Sequence, residues 1–172
     1  MFLLAQIFWA IGLILELITF QFKNRKTILV LLMFWTVFWA IHFYFLNELV
    51  SAWILVWSAL RLLVAFLLDK DWKYFTLSKY FFFISLFLIT IFLYKSYIDF
   101  IVLFAWLTAV ISSFQKKDKL LRIWAMVSTF AWLVISILVW TPISIVASTT
   151  FLISNIIGYW RFYWNKKSHG KK

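Results

Sequence analysis

The sequence predicts an all-α membrane protein with seven transmembrane helices, arranged as three-plus-one-plus-three parallel repeats. Three observations carry that expectation. First, 66% of the 172 residues are hydrophobic, 23% are aromatic, and mean hydropathy is +0.97. A soluble domain of this length cannot bury that much apolar surface. Every backbone amide in a bilayer must also be bonded within the chain, so the apolar runs read as helices. Second, a basic turn followed by a Trp-bearing apolar helix occurs twice, 93 positions apart. Lys23-Asn24-Arg25-Lys26 leads to Trp39, and Lys116-Lys117-Asp118-Lys119 leads to Trp132. Like units joined by one extra span are a pattern of parallel-repeat transporters. Third, positive charge gathers on one side of the predicted spans.

The elements follow in order. Helix one covers 2–22 and ends at the first basic turn; with no basic leader and with Glu16 interrupting its apolar run, it reads as a retained span. Helix two covers 27–46 and ends at Asn47-Glu48. Helix three covers 49–68 and stops at Asp69-Lys70-Asp71. Helix four is the Phe-rich stretch 75–94, broken at Lys95-Ser96. Helix five covers 98–114 and ends at the second basic turn. Helix six covers 120–140. Thr141-Pro142 then turns the chain, with Pro suited to the first turn of helix seven at 143–164. One transmembrane domain over 1–164 results, with repeat one at 2–68, a linker helix at 75–94 and repeat two at 98–164. Residues 165–172 form a basic cytoplasmic tail.

Seven spans place the 23–26 turn, the 69–79 loop, the 116–122 turn and the tail on one side. Those segments hold most of the seventeen Lys and Arg. The other side carries Glu48, Lys95, Asp99 and the Thr141-Pro142 turn, with almost no net charge. The positive-inside rule then sets the N-terminus outside and the C-terminus in the cytoplasm. Six spans would put the matching basic turns on opposite faces.

The net charge of +11 follows from the same placement. Lys and Arg at the ends of apolar runs meet lipid phosphates, so the expected partner is the bilayer, not nucleic acid. No Cys is present, and no second His stands at ligand spacing, so no metal site or cofactor is expected. A P-loop, a Gly-rich nucleotide turn and a Ser-His-Asp arrangement are all missing from the sequence.

Intramembrane polar residues cost free energy, so functional hypotheses begin there. Gln6, Trp9 and Glu16 share one face of helix one. Glu16 is a proton-coupling or cation-contacting carboxylate, or else pairs with a basic neighbour. Trp35, Trp39 and His42 share a face of helix two; the imidazole suits a proton or a polar solute, or bonds a neighbouring carbonyl. Trp53, Trp57 and Arg61 form a stripe on helix three, with Ser58 beside it. Arg61 either snorkels or meets an anion or Glu16. Ser128, Trp132 and Ser136 align on helix six, with Thr129 adjacent. Thr150, Ser154, Gly158 and Arg161 form a small-residue stripe on helix seven, flanked by Asn155, which reads as a solute contact or as a packing hydrogen bond.

These residues resemble the YgjV family of bacterial inner-membrane proteins. The resemblance rests on Leu4-Ala5-Gln6, His42-Phe43, Arg61, Ser128-Thr129 followed by Trp132, Asn155 and Arg161, and spans nearly the whole chain. That family looks like part of the group containing SWEET and semiSWEET sugar transporters, PQ-loop proteins and PnuC-type vitamin transporters. The resemblance implies a central solute path and alternating access. In SWEET-like proteins an Asn in the third helix of each unit contacts the solute; Asn155 matches it in the second unit, and Ser58 holds the place in the first. The chain departs from the group in two ways. Gln6 has no preceding Pro, and the second-unit His is replaced by Ile135.

The expected function is a SWEET-like facilitator or proton-coupled carrier of a small polar metabolite, not an enzyme. Its substrate path is lined by Trp39, His42, Ser58, Trp132 and Asn155, with Glu16 and His42 as proton-coupling residues. The alternative is a non-transporting interaction or sensor subunit. An oligomer is compatible with either.

Overall fold

The computed structural model describes residues 2–68, 73–93 and 96–164. Among them are seven α-helices and no strand: α1 (Phe2–Thr19), α2 (Arg25–Phe45), α3 (Leu49–Leu67), α4 (Lys73–Leu93), α5 (Ile98–Ser113), α6 (Asp118–Leu138) and α7 (Pro142–Tyr159). A π turn, Trp160–Trp164, ends the last helix. Local chemistry sets the ends. Asn24 caps α2 by accepting from the Lys26 N–H at 2.9 Å. Pro142 stands in the first turn of α7, where its missing N–H costs nothing. The Asp69–Asp71 stop, Lys95 and the tail from Asn165 lie outside the described residues.

Two boundaries differ from the expected ones in a way that matters. Helix α1 ends at Thr19, because Phe20 and Gln21 form a turn. Helix α6 begins at Asp118, so Lys119 and Arg122 belong to a helix and not to the basic turn.

Four helical stretches are long and apolar enough to cross a membrane: Arg25–Phe45, Lys73–Phe92, Asp118–Leu138 and Pro142–Trp164. The apolar stretches Leu3–Thr19, Ser51–Leu67 and Ile98–Ser113 are shorter. Large apolar side chains stand on the outside, including Leu3, Trp53 and Phe92, at 74%, 72% and 84% exposure. In water such a surface would drive aggregation; hydrocarbon solvates it at no cost.

The chain divides at Leu68 into two units. In the first, α2 packs against both α1 and α3. Small residues make those contacts close: Ala5, Gly12, Ala40, Ala52, Ala59 and Ala65 are all buried. In the second, α6 packs against both α5 and α7, and α4 packs on α5. Ala105, Ala131 and Ile135 form its apolar cluster, with Ile98, Ile101, Val102 and Trp132 against them. Phe75 and Phe82, seven positions apart on one face of α4, both meet Phe114 at the end of α5.

The turns α2–α3 and α6–α7 share one construction, 93 positions apart. Asn47 and Trp140 both adopt positive φ, 65° and 52°. The Asn47 N–H donates to Tyr44 O and that of Glu48 to Phe43 O; the Trp140 N–H donates to Ile137 O and that of Thr141 to Ser136 O. Each pair of bonds satisfies helix carbonyls that the end of a helix otherwise leaves open.

Candidate functional site

In the first unit, polar groups face one another across α1 and α2. A Cβ on Gly12 would lie 2.8 Å from both Cδ1 and Nε1 of Trp39, so the five-membered ring of the indole occupies the space that a side chain here would need. Trp9, Gly12 and Glu16 follow at i, i+3 and i+7, which places them on one side of α1. Glu16 is 5% exposed and set against the Trp35 side chain, and its Oε2 has no hydrogen-bond partner. The indole N–H groups of Trp9 and Trp39 are also buried without an acceptor. His42 is buried, and its Nδ1 donates to the Ala5 carbonyl at 2.8 Å. Its ring stands edge-on to Trp39 and Phe43, at centroid distances of 5.8 and 5.2 Å.

On α3, Arg61 is buried and donates through Nη2 to Ser58 Oγ at 2.9 Å. Its Nε and Nη1 have no partner, and no ion pair joins it to Glu16. The predicted stripe on this helix is therefore graded. Trp53 is exposed, Trp57 is half-buried and Arg61 is enclosed. Ser58, the predicted counterpart of Asn155, is committed to Arg61.

In the second unit, Asn155 is fully buried and its Nδ2 donates to the Arg122 carbonyl at 3.0 Å, while Oδ1 has no partner. Ser128 Oγ donates to Ala105 O at 2.8 Å, tying α6 to α5. Trp132 meets Trp106 edge-on at 5.5 Å. The Ser136 hydroxyl donates to its own helix, at Trp132 O. Arg161 is exposed.

The geometry thus gathers Glu16, Trp39 and His42 on the facing surfaces of α1 and α2. It places Ser58 on α3, and Trp132 and Asn155 on separate helices of the second unit. Three participants escaped the sequence reading. Gly12 seats Trp39. Arg122 is 0% exposed inside α6, its guanidinium 5.1 Å from the Phe162 ring centroid. Tyr163 donates its hydroxyl to Asp118 Oδ2, closing the π turn onto the start of α6. For Arg122 a signal existed: Arg122, Ala125, Thr129 and Ser136 follow a helical face of small and polar residues. Among the described residues, no group of His, Cys, Asp and Glu could hold a metal ion.

Apolar helices with lipid-compatible exteriors and scattered buried polar groups define an all-helical membrane protein. The chain belongs to the Imp-YgjV family, described as bacterial inner membrane protein, which it matches over residues 3–166. No curated protein and no solved structure matches it.

Proposed function

We propose that this protein is a SWEET-like carrier of a small polar metabolite, working as a facilitator or with proton coupling. The observation that supports this reading is a set of buried polar atoms left unbonded among apolar helices. They are the N–H groups of Trp9 and Trp39, Glu16 Oε2, two nitrogens of Arg61 and Asn155 Oδ1. Buried polar groups are normally paired, and an unpaired one costs about 1–3 kcal/mol. In the first unit, a solute carrying hydroxyl and carbonyl groups supplies the missing bonds of Trp9, Trp39 and Glu16.

The membrane arrangement belongs to the same proposal. All seven helices span, with the N-terminus outside and the C-terminus in the cytoplasm, as two three-helix repeats joined by α4. The shared turn at Asn47 and Trp140 supports the repeat. Helix α5, at 16 residues, reaches about 24 Å at 1.5 Å per residue. Local thinning of the bilayer accommodates that shortfall at modest cost. Glu16 and His42 are the proton-coupling residues of this reading; the Nδ1–H bond to Ala5 fixes the His42 tautomer and leaves Nε2 to take a proton.

The reading is a carrier and not an enzyme. A lipid-modifying acid–base pair would need Glu16 and His42 within one water of each other. His42 is bonded at Ala5, and Glu16 lies eleven positions further along the same helix, about 16 Å away. One observation favours the alternative of a non-transporting interaction or sensor subunit: His42 and Asn155 both bond backbone carbonyls.

Proteoliposome uptake separates the two. Labelled sugars, amino acids, nucleosides and vitamin precursors are screened with and without a pH gradient. Saturable uptake of one class is expected, lost in Asn155→Leu while that variant stays folded. Absence of uptake from folded, correctly oriented protein would move the assignment to the interaction subunit.

A further inference from the structure

Arg61 stands on the packed side of α3. Ser58, Arg61, Leu62 and Ala65 follow at i, i+3, i+4 and i+7, so they share one face of the helix, and each is buried. Helix α2 packs on α3. From Arg61 to the end of α3 at Leu67 the helix rises about 9 Å. An arginine is long enough to turn toward the membrane surface over much of that distance. This one does not: it is 5% exposed and donates sideways through Nη2 to Ser58 Oγ at 2.9 Å. A charge enclosed among apolar helices is costly and is normally paired. Among the described residues no acidic side chain pairs with Arg61, and its Nε and Nη1 are buried without a bond. The unbonded part of the guanidinium has a definite shape. The planar group carries five N–H bonds, one on Nε and two on each Nη. One Nη2 hydrogen runs parallel to that of Nε, and the other runs parallel to one on Nη1. Whichever of the two Ser58 takes, the opposite edge keeps two parallel donors.

We infer that the carried solute is a small monocarboxylic acid in its ionised form, and that Arg61 holds its carboxylate on the free edge of the guanidinium. The inference rests on the carrier reading and narrows its small polar metabolite to an anion. A carboxylate offers two oxygens in the plane and spacing of two parallel N–H donors, and its single charge cancels that of Arg61. A neutral solute leaves the buried cation uncompensated. Chloride cancels the charge but uses only one point of a two-donor edge. A phosphomonoester, with nearly two negative charges, brings one in excess. Reaching the edge requires the helices around Arg61 to part, as alternating access does.

The test uses the full chain, in neutral detergent for binding by calorimetry and thermal unfolding, and in proteoliposomes for uptake. The probes are two matched pairs, lactate with lactamide and gluconate with glucose, together with glycerol phosphate and chloride. At least one acid should bind, raise the melting temperature and be taken up saturably, while its neutral partner does none of these. Arg61→Gln should bind that acid roughly tenfold more weakly or worse. Lys26→Gln, which removes an exposed cation at the start of α2, should bind it like the parent chain. Equal loss in Lys26→Gln would reduce the effect to general charge and overturn the inference. Binding of neither acid, or of a neutral partner as tightly as its acid, would also overturn it. Tighter binding of glycerol phosphate or chloride than of either acid would reassign Arg61 to that anion. The two readings fail separately. Saturable uptake of glucose or lactamide, unchanged in Arg61→Gln, would keep the carrier and remove the acid. Carboxylate binding lost in Arg61→Gln, with no uptake of any probe, would keep the Arg61 site and remove the carrier. Should Arg61→Gln fold poorly, Arg61→Lys is the second check. It keeps the charge without the planar edge, so carboxylate binding must still weaken several-fold while any chloride binding is retained.

Discussion

At the ends of α2 and α6 the two units make the same turn with different residues, and one turn earlier they diverge in chemistry. His42 in the first unit donates to the Ala5 carbonyl. Ninety-three positions on, Ile135 belongs to an apolar cluster against which Ile98 packs, and Ile98 stands 93 positions after Ala5. A polar lock in one unit is replaced by an oily contact in the other. Trp39 and Trp132 diverge in the same way. The first lies on Gly12; the second packs against the cluster containing Ala105, which stands at the matching distance from Gly12. A helix pair of this kind tolerates either a hydrogen bond or apolar packing at a given depth. The shared backbone bonds of the turn persist because every helix end must satisfy its carbonyls.

The comparison can be broken by writing one unit's residue into the other. The largest effect is expected for Gly12→Ala, which gives the first unit the second unit's residue. Its Cβ would overlap the rigid Trp39 indole, so α1 and α2 must separate. Overpacking of this kind costs about 1–3 kcal/mol. Reversible unfolding in mixed micelles measures it, and a Gly12→Ala/Trp39→Leu double variant should recover part of the loss. An unchanged stability for Gly12→Ala would mean the indole is free to move.

His42→Ile comes next. The volume is kept and one interhelical hydrogen bond is lost, worth about 0.6–1.5 kcal/mol in a membrane. Unfolding free energy should fall by that amount, with no change in helix content by circular dichroism. A loss several times larger would make the imidazole part of a wider polar network.

Trp140→Asn is expected to act in the opposite direction and by less. A bulky residue at φ 52° strains the backbone, whereas Asn47 at φ 65° occupies the same conformation comfortably. Relief of about 0.5–1 kcal/mol is expected, read as a higher melting temperature. The smallest change is expected for Asn155→Leu. A modest hydrogen bond to Arg122 O is lost, and an unbonded buried oxygen is removed, so stability should shift by less than about 1 kcal/mol. That near-neutrality is what makes its predicted loss of uptake informative about function.

Much of the framework was legible in the chain itself. Apolar run length, the basic turns and Pro142 placed all seven helices to within a few residues, because those signals act locally. Burial of the polar stripes was also legible in part: Glu16, His42, Ser58, Ser128 and Asn155 are all enclosed. Their partners were not. The bond from His42 reaches back 37 positions to Ala5, and that from Asn155 reaches back 33 to Arg122. Both acceptors are backbone carbonyls, which every residue carries and no side-chain pattern marks. Arg122 shows the limit most clearly. Beside three lysines it reads as a surface charge, yet the start of α6 at Asp118 and the return of the π turn at Phe162 and Tyr163 enclose it.

The sequence by itself determined a helical membrane protein and the number and approximate extent of its helices. These follow from hydrophobicity and helix-end chemistry, which depend on near neighbours. Only the tertiary structure decided that Trp39 rests on Gly12, that His42 is satisfied by Ala5, that Arg61 and Glu16 stay apart, and that Asp118 is drawn to Tyr163. Those outcomes depend on how closely two helices approach and on their rotation about their axes. Helix rotation and spacing are set by the sum of many side-chain contacts, so no local segment encodes them.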